Sequence, residues 1–493
     1  MPFREIHTRR DDHKFVRMPS ALSPVVLPLG PRPSALGPLP LMTDQPTATA
    51  ILERALKAAA TAEADAAFIA SDSNISRFAN SQLHQNMSEE SASLTLRVVV
   101  NGAFGVATTT VFEQDEIERT AALAREAARH SNAVQGFAGL YRANEPVPEL
   151  DTFDEQTAAL APMEKALALR AMFDRGRDVQ FAGAYATGAV SVACANTHGV
   201  RRYAKATYAD ATVIAIGAHG SGYATSRQQS ASRLDLAALG EEATMKATLA
   251  SDRIEDLEPG TYDVILEPPA LAEVFDWMNM IALTGQSYED GSSFFVNNLG
   301  KKILGENFTL VDDSLDPSFL PFPFDLEGLP KRRTALVENG VIRTPVLDKE
   351  WADRLGLAPT ANAWQLGSSE HGSAFHLSMA GGTSTREELI ASTKLGIWVT
   401  RFNYVNGLLE PRTALMTGTT RDGTFLIRDG KVAARLPNLR WTQSMVEAFS
   451  NIDALSSERR SVGTWYNMFG GTLAPVARIR GWNITGKQEQ RAS

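Results

Sequence analysis

The stretch Thr261–Phe295, TYDVILEPPALAEVFDWMNMIALTGQSYEDGSSFF, organises the second half of the chain. It opens with a short β-rich apolar run, Tyr262–Leu266, which stops before Pro268 and Pro269 because proline cannot donate a ladder hydrogen bond. Apolar side chains then recur at roughly helical spacing, at Leu271, Val274, Phe275, Met278 and Leu283. The pattern predicts an amphipathic helix that packs on the preceding strand.

This strand and helix have the layout of a zinc peptidase centre without its metal ligands. Such a helix carries two histidines on one face and a glutamate that takes a proton from the metal-bound water. The residues found here are Phe275, Asp276, Trp277, Asn279 and Met280. No histidine lies between His219 and His371, and the carboxylate of Asp276 cannot hold zinc alone. We therefore predict a buried packing helix.

The composition indicates a globular protein of two or three domains. The chain has 493 residues, of which 44% are hydrophobic and 21% charged. Its net charge of −9 argues against nucleic-acid binding, which needs a basic surface, and against docking on anionic membranes. No apolar run approaches the ~20 residues that a membrane-spanning helix needs. We expect neither a nucleic acid nor a membrane as a partner.

A single cysteine, Cys194, cannot form an intramolecular disulfide, which favours a cytoplasmic location. We expect its side chain to be a small buried hydrophobe in a strand. As a nucleophile it would need a neighbouring base. His198, four residues on, would lie on the same face of a strand but far along it.

The predicted fold class is α+β with two domains. Residues 1–46 contain a proline-rich run and lack the order of a signal peptide, so we interpret them as disordered, or as sequence upstream of a better start at Met42. A helix-and-antiparallel-sheet domain is expected over 47–254 and a mostly β domain over 255–487, with a tail at 488–493.

Local signals place the main elements. Helices are predicted at Thr49–Ala60, with Thr47 or Thr49 as the cap, and at Asp115–Ala133, Pro162–Gly176, Leu236–Ala250 and Thr385–Leu395. A β-meander is expected over Gln180–Gln229. Hairpin turns are predicted at Asn101-Gly102, Asn339-Gly340 and Asp429-Gly430, because these residue pairs tolerate positive φ.

The densest group of metal-capable residues is Glu370, His371 and His376, in GSSEHGSAFH. The histidines are five apart, so a regular helix would not bring them together, and the flanking glycines and serines indicate a loop. A polar loop that lines a cleft is the favoured interpretation. The adjacent carboxylates Asp312 and Asp313 would point apart in a strand, and no phosphate-loop or nucleophile-elbow motif is complete.

Four ordered phrases resemble the TldD/PmbA family, whose members TldD and TldE (also called PmbA) act as partners. They are LVDDSLDP at Leu310–Pro317, FDLEGLPKRRTALVENGVI at Phe324–Ile342, LDKEWADRLGLAPTANA at Leu347–Ala363 and STKLGIWVTRF at Ser392–Phe402. The SRFANSQLHQ segment and the VVVNGAFGVATT hairpin of the first half also fit. The resemblance extends from about Ile51 to Gly486.

The resemblance implies the type that lacks the metal site. The TldD-type subunit is similar to a zinc peptidase, with a helical His-Glu-x-x-x-His motif and a cysteine near its C-terminus. The motif would fall on Phe275, Asp276 and Met280, within a residue of alignment, and the cysteine within Val462–Gly471, yet neither set of ligands is present. The chain is thus expected to have no catalytic residues, no metal and no cofactor, with zinc in a TldD-type partner. The family is also named for an effect on DNA gyrase.

The resemblance also implies a hetero-oligomer that cleaves unfolded peptides. Capture of a peptide by β-augmentation needs an open sheet edge rather than a reactive side chain. Loops around Asn362, His371 and His376 are the candidates for substrate lining. Two alternatives remain: a stand-alone peptide-binding scaffold, as a homo-oligomer, and a peptidase with a site relocated to Glu370, His371 and His376.

Overall fold

The computed structural model describes residues 43–142, 145–367, 372–463 and 470–487. It confirms the α+β class, with an antiparallel sheet in the N-terminal half and a large mixed sheet in the C-terminal half. These residues belong to one compact unit. The division between 254 and 255 therefore stays a prediction, and residues 1–42 and the tail at 488–493 lie outside the described residues.

The N-terminal sheet has the strand order β3-β2-β1-β4-β5-β6, with every neighbouring pair antiparallel. Its strands are β1 Glu63–Ala79, β2 Gln82–Val100, β3 Ala103–Thr109, β4 Gln180–Asn196, β5 Arg201–Ile216 and β6 Ser221–Gln228. The helices of this half are α1 Gln45–Ala59, α2 Gln114–His130, α3 Glu155–Ala158, α4 Pro162–Arg175 and α5 Leu236–Thr248. The meander predicted over Gln180–Gln229 corresponds to β4, β5 and β6.

The long helices cover one face of this sheet and leave the other face to the C-terminal half. Small and aliphatic side chains of α1 and α2 pack against Phe68 and Leu94, whereas α4 and α5 pack against Phe181 and Tyr185. On the opposite face, Val192 and Cys194 contact phenylalanines of the C-terminal half. The sheet therefore lies between a layer of helices on one face and the C-terminal half on the other.

The first helix begins earlier than the sequence predicted. It starts at Gln45, and its cap is Asp44, whose Oδ1 accepts a hydrogen bond from the backbone N–H of Thr47 at 2.9 Å. The prediction of Thr47 or Thr49 as cap was wrong because Pro46 is tolerated in the first helical turn, where no N–H is needed.

The described part of the C-terminal half contains eleven strands. They are β7 Gly260–Leu266, β8 Leu310–Asp312, β9 Thr334–Glu338, β10 Val341–Ile342, β11 His376–Met379, β12 Leu395–Glu410, β13 Leu415–Arg428, β14 Lys431–Arg435, β15 Leu439–Ser444, β16 Ile452–Val462 and β17 Gly471–Lys487. The helices are α6 Pro268–Ile281, α7 Gly285–Glu289, α8 Lys349–Leu355, α9 Arg386–Ala391 and α10 Met445–Ser450. The helix predicted to reach Leu395 ends at Ala391, because Leu395 already belongs to β12.

Five strands of this half close into a ring. The order β17-β15-β13-β12-β7 returns to β17, because β7 pairs with β12 on one side and with β17 on the other. Aromatic side chains pack together within the C-terminal core: the ring centroids of Phe402 and Trp441 are 4.6 Å apart, and those of Trp441 and Trp482 are 5.1 Å apart. The ring fixes the position of the helix that follows β7.

That helix, α6, is the one predicted from the opening stretch. Its two prolines occupy the first helical turn. The five apolar residues predicted for its buried face are all fully buried, but Leu283 lies beyond the end of the helix at Ile281, so only Leu271, Val274, Phe275 and Met278 belong to that face. Phe275 packs against Phe449, with ring centroids 5.6 Å apart. The buried packing helix is confirmed.

Hairpin turns and the junction between the halves complete the frame. Asn101 and Asn339 have positive φ, at 51° and 49°, and each precedes a glycine with positive φ, as predicted.

Across the junction, Arg97 of β2 donates to Asp65 of β1 at 2.6 Å and to Glu327 at 2.9 Å, and all three side chains are buried. This triad ties the N-terminal sheet to the loop before β9.

Candidate functional site: a polar cleft between the sheet and helix α6

A cleft of about 560 Å³ lies between the N-terminal sheet and α6. The sheet forms one wall, α6 and β12 form the other, and the end of β16 closes one side. Its lining includes Ile75, Ala186, Tyr208, Asp210, Tyr223, Arg227, Glu273, Asp276, Arg401 and Gly463. The cleft therefore occupies the place beside the helix where the resemblance puts a metal centre.

Strand register brings the sheet residues of the cleft into one row. Ile75 of β1 pairs with Ala186 of β4, which pairs with Asp210 of β5, which in turn pairs with Arg227 of β6. Directly opposed residues of neighbouring strands share a face of a sheet. The row thus lies on the face opposite the long helices, with the small side chain of Ala186 at its centre.

One side of helix α6, which carries two carboxyl groups, faces the same cleft. Pro269, Ala272, Glu273 and Asp276 are spaced at intervals of three and four residues, so they lie on one side of the helix. The opposite side carries the apolar residues that fill the core. The helix is amphipathic, with two carboxyl groups directed toward the cleft.

Two arginines are stacked on two tyrosines along the cleft. The Cζ atom of Arg227 lies 4.7 Å from the ring centroid of Tyr208, and that of Arg401 lies 4.5 Å from the ring centroid of Tyr223. Such cation–π contacts hold a guanidinium in place. Arg401 also donates its Nε–H to Asp422 at 2.8 Å. The cleft thus has fixed hydrogen-bond donors beside its carboxyl groups.

Burial affects two carboxyl groups of the cleft, those of Glu273 and Asp210. Burial raises the pKa of Glu273, and the nearby charge of Arg401 opposes that shift only in part. Burial raises the pKa of Asp210 in the same way against the influence of Arg227. Carboxylates accept hydrogen bonds, and Arg227 and Arg401 of the cleft donate them. The cleft can therefore meet both the N–H and the C=O groups of a peptide.

Gly463, at the end of β16, approaches the sheet closely. A Cβ atom at this position would lie 2.4 Å from Oδ2 of Asp210, which is closer than any side chain can come. A side chain at this position would displace the carboxyl group of Asp210 from its place in the cleft. Residues 464–469, which make up most of the Val462–Gly471 segment aligned with the family cysteine, lie outside the described residues.

The three positions aligned with the zinc motif do not face a common point. Phe275 is fully buried in the core, Asp276 lines the cleft, and Met280 is 42% exposed outside it. Only Asp276 of the three carries a group that zinc binds. Among the described residues, no three His, Cys, Asp or Glu side chains converge as a metal site. The residues at these positions do not fit zinc.

The residues predicted to line a substrate cleft lie elsewhere or are not described. Asn362 is fully buried and donates to Asp312 at 2.8 Å, and the backbone N–H of His376 donates to the same carboxylate at 2.9 Å. Neither belongs to the lining of the cleft, because both are part of this interior cluster, and their contact with a substrate stays a prediction. His371 and Glu370 lie outside the described residues.

Asp312 is the centre of that interior cluster. Burial raises its pKa, but Lys331 at 3.1 Å, His376 and Asn362 outweigh this and hold the pKa below its ordinary value. Asp313 is instead paired with Arg333 at 3.6 Å near the surface. The two adjacent carboxylates thus point apart, as the sequence predicted.

Cys194 is a buried strand residue, as expected. Its side chain is 2% exposed, and burial raises the pKa of its thiol well above the ordinary value. His198 is not its base, because the Nε2 atom of that histidine lies 3.1 Å from Glu63. A thiol held neutral in the interior is a poor nucleophile.

Sequence reasoning missed the residues that line the cleft. The signal was the alternation in β5, where Tyr208, Asp210 and Thr212 alternate with alanines. This pattern places the three polar side chains on one face, but nothing in the sequence says that α6 covers that face. Sequence reasoning did not find Glu273, because the helix that contains it was interpreted from its apolar residues alone.

Comparisons with known proteins agree with the fold. Family models described as PmbA/TldA metallopeptidase domain 1, central domain and C-terminal domain match residues 64–128, 148–250 and 259–486. The crystal structure of TldE from Thermococcus kodakarensis superposes with a TM-score of 0.78 at 18% identity, covering 89% of this chain and 99% of that chain.

Curated relatives match over shorter parts of the chain than the solved structure does. A metalloprotease from Methanothermobacter thermautotrophicus is 25% identical over 50% of this chain and 53% of its own length. Metalloprotease PmbA of Escherichia coli O157:H7 is 24% identical over 41% of this chain and 42% of its own length. The chain spans about half the length of the curated relatives it matches.

The matched domains define a protein of the metallopeptidase-related class. The chain belongs to the TldD/PmbA family.

No helix in the described part of the chain combines the length and the apolar character needed to cross a bilayer.

Proposed function

We propose that this chain is a PmbA/TldE-like subunit of a TldD/TldE-type metallopeptidase complex. In this role it acts in the proteolysis of unfolded peptides without holding the catalytic zinc itself. The observation that carries the proposal is α6, which keeps its place on β7 and beside the cleft but directs Phe275 into the core and Met280 out of the cleft. The overall likeness to TldE supports the fold on which the proposal rests.

The chain shapes the peptide chamber and orders the site of a TldD-type partner that supplies the zinc. Its cleft contributes hydrogen-bonding groups for an extended backbone on both walls, with Asp210 and Arg227 on the sheet and Glu273, Asp276 and Arg401 on α6 and β12. The single buried cysteine fits a cytoplasmic protein. No nucleic acid takes part, in keeping with the net charge of −9.

A reconstituted peptidase assay tests the proposal. The purified chain alone should not cleave an unfolded casein-derived peptide, whereas the chain mixed with a TldD-type subunit should. Glu273→Ala/Asp276→Ala should lower the activity of the mixture about tenfold or more because the cleft loses its carboxyl groups. The matched control, Glu118→Ala/Glu126→Ala, removes two exposed carboxylates of α2 and should leave the activity unchanged.

Two outcomes would contradict the proposal. Full activity of the chain without a partner would make it a peptidase in its own right. Zinc near one atom per chain, measured by elemental mass spectrometry after mild dialysis, would mean that residues outside those described complete a metal site. Failure of any TldD-type subunit to co-purify would favour the stand-alone peptide-binding scaffold.

A further inference from the structure

The outer half of β2 has no neighbour on one side. Strand β3 pairs with β2 from Leu94 to Val100, and β1 pairs with β2 along its whole length. From Gln82 to Ser93 no described strand pairs with the other side of β2. Every residue from Gln82 to Ser91 is exposed except Gln85, which is half-buried. The backbone N–H and C=O groups that point away from β1 are therefore open.

This edge lacks the devices that usually protect an open strand. It contains no proline and no lysine, and its one register irregularity lies at the far end, between Arg77 and Phe78 of β1. Long unprotected edges are templates for pairing with another strand. Its charges are Glu89 and Glu90, and neither forms an ion pair with a described residue. The edge is thus acidic, open and extended.

The two glutamates point to opposite faces of the sheet. Glu89 pairs with Ser73, which pairs with Gly188, which pairs with Tyr208 of the cleft. Glu90 pairs with Asp72, whose pKa is raised by burial and by the charge of Glu90. Successive residues of an added strand also alternate between faces, so two consecutive basic side chains would each meet one glutamate.

The edge and the cleft share one face of the sheet. Met87 pairs with Ile75, so the row that crosses the cleft through Ala186 and Asp210 ends at this edge. A chain added along β2 would extend the cleft wall by one strand. Its side chains on that face would stand in line with the row that reaches the cleft.

We propose that the open edge of β2, Gln82–Ser93, captures an extended peptide segment with two consecutive basic residues by strand addition. The inference rests on the proposed function, since it names how the same protein receives unfolded peptide. Backbone hydrogen bonds supply the general affinity, and Glu89 and Glu90 supply the preference for basic residues. The occupant is a peptide in extended form rather than a folded partner.

Fluorescence anisotropy with a labelled Thr-Val-Thr-Lys-Lys-Thr-Val-Thr peptide tests the capture. The wild-type chain should bind this peptide, and Glu89→Lys/Glu90→Lys should weaken binding about tenfold or more because like charges would then face each other. The same variant should bind the Glu-Glu counterpart of the peptide more tightly than the wild type does. The matched control, Glu118→Lys/Glu126→Lys, makes the same charge change on α2 and should leave both affinities unchanged.

A second probe separates strand addition from charge attraction. The Lys-Lys peptide methylated on alternate backbone nitrogens, in both registers, should lose binding in at least one register, because N-methylation removes the donors that an added strand needs. Equal binding of all the methylated peptides would overturn the proposal. So would a wild-type dimer, detected by sedimentation, that Glu89→Lys/Glu90→Lys dissociates, because a second copy would then occupy the edge.

The outcome for the edge is distinguishable from the outcome for the proposed function. If Glu89→Lys/Glu90→Lys binds the Lys-Lys peptide as the wild type does, and still supports cleavage by a TldD-type partner, the edge proposal fails alone. If the edge binds the peptide but no TldD-type subunit is stimulated, the subunit role fails and the capture site stands.

Discussion

At the scale of single residues, buried charges set the strongest constraints in this protein. Arg97 pairs with both Asp65 and Glu327 at the junction of the halves, and all three side chains are less than 6% exposed. A buried ion pair adds little net stability, but the loss of one member leaves an uncompensated charge in the interior. Substitution of one of these three residues should therefore lower the free energy of unfolding strongly, through an effect confined to the junction.

Replacement of Arg97 by methionine should lower the free energy of unfolding by about 3–5 kcal/mol, because two buried carboxylates lose their cation. Urea unfolding followed by tryptophan fluorescence measures the change. Arg119→Met is the matched control, since its partner Glu116 lies on the surface of α2. We expect the control to cost less than about 1 kcal/mol. Equal losses in the two variants would contradict the argument.

Lys165 makes stability depend on pH in the alkaline range. Its side chain is fully buried, and its Nζ donates to the backbone oxygen and to Oδ1 of Asn74 rather than to a carboxylate. Burial lowers its pKa from 10.5 to about 8. The folded state thus loses the proton at lower pH than the unfolded state does, so stability should rise as the pH passes from 8 toward 10.5.

Lys165→Met should remove this dependence. Between pH 8 and 9.5 we expect the wild type to gain about 1 kcal/mol of unfolding free energy relative to Lys165→Met. Urea titrations at half-unit intervals of pH provide the measurement. Lys57→Met, at an exposed position of α1, should keep the slope of the wild type. If the unfolding free energies of the wild type and of Lys165→Met changed equally with pH, the buried ammonium would not titrate in this range.

At the scale of elements, α6 separates a packing face from a cleft face. Phe275→Ala should destabilise the protein by about 3–5 kcal/mol, because the ring is buried against Phe308 and Phe449. Met280→Ala, at the other end of the aligned motif, should change stability by less than about 0.5 kcal/mol, since its side chain is 42% exposed. Thermal unfolding measures both changes in stability, and a large loss for Phe275→Ala beside a small one for Met280→Ala is the expected result.

The sequence could predict this helix but not its surroundings. Two prolines and apolar residues at helical spacing are local signals, so the existence and the buried side of α6 followed from them, but its end did not, since Leu283 lies beyond Ile281. The cleft depends on pairings such as Ala186 with Asp210, which join residues distant in the chain. Asn362 and His376 were interpreted from a glycine- and serine-rich context. Their burial beside Asp312 results from tertiary contacts that composition does not encode.

At the scale of the whole molecule, Arg435 connects the two halves. Its guanidinium donates to the backbone oxygen of Ser221 at 3.2 Å and to that of Ala247 at 3.1 Å, and it lies over the ring of Phe425. Arg435→Met should therefore make segment 249–258 more sensitive to protease and resolve two unfolding transitions in calorimetry. Arg428→Met removes an exposed pair with Glu255 beside the junction, within the C-terminal half, and should retain one transition.

The sequence predicted the fold class and the local hairpins of the two halves, but not the pairing of strands that are distant in the chain. Alternating strands and strong turns such as Asn339-Gly340 indicated the fold class and the hairpins. The ring of the C-terminal half was not predicted, because β7 and β17 meet across more than two hundred intervening residues. The proposed boundary near 254 awaits the Arg435 experiment, since contacts of this arginine cross it.

Closure of that ring has a consequence for synthesis on the ribosome. The last long strand, β17, completes the pairing of β7 and brings Trp482 against Trp441. Until Trp482 has left the exit tunnel, α6 has no finished core to pack on, although the N-terminal sheet can already form from its own residues. The nascent chain must therefore keep an apolar helix exposed until β17 has been synthesised. A truncation that removes β17 should thus need a chaperone throughout its life, whereas the full chain needs one only briefly.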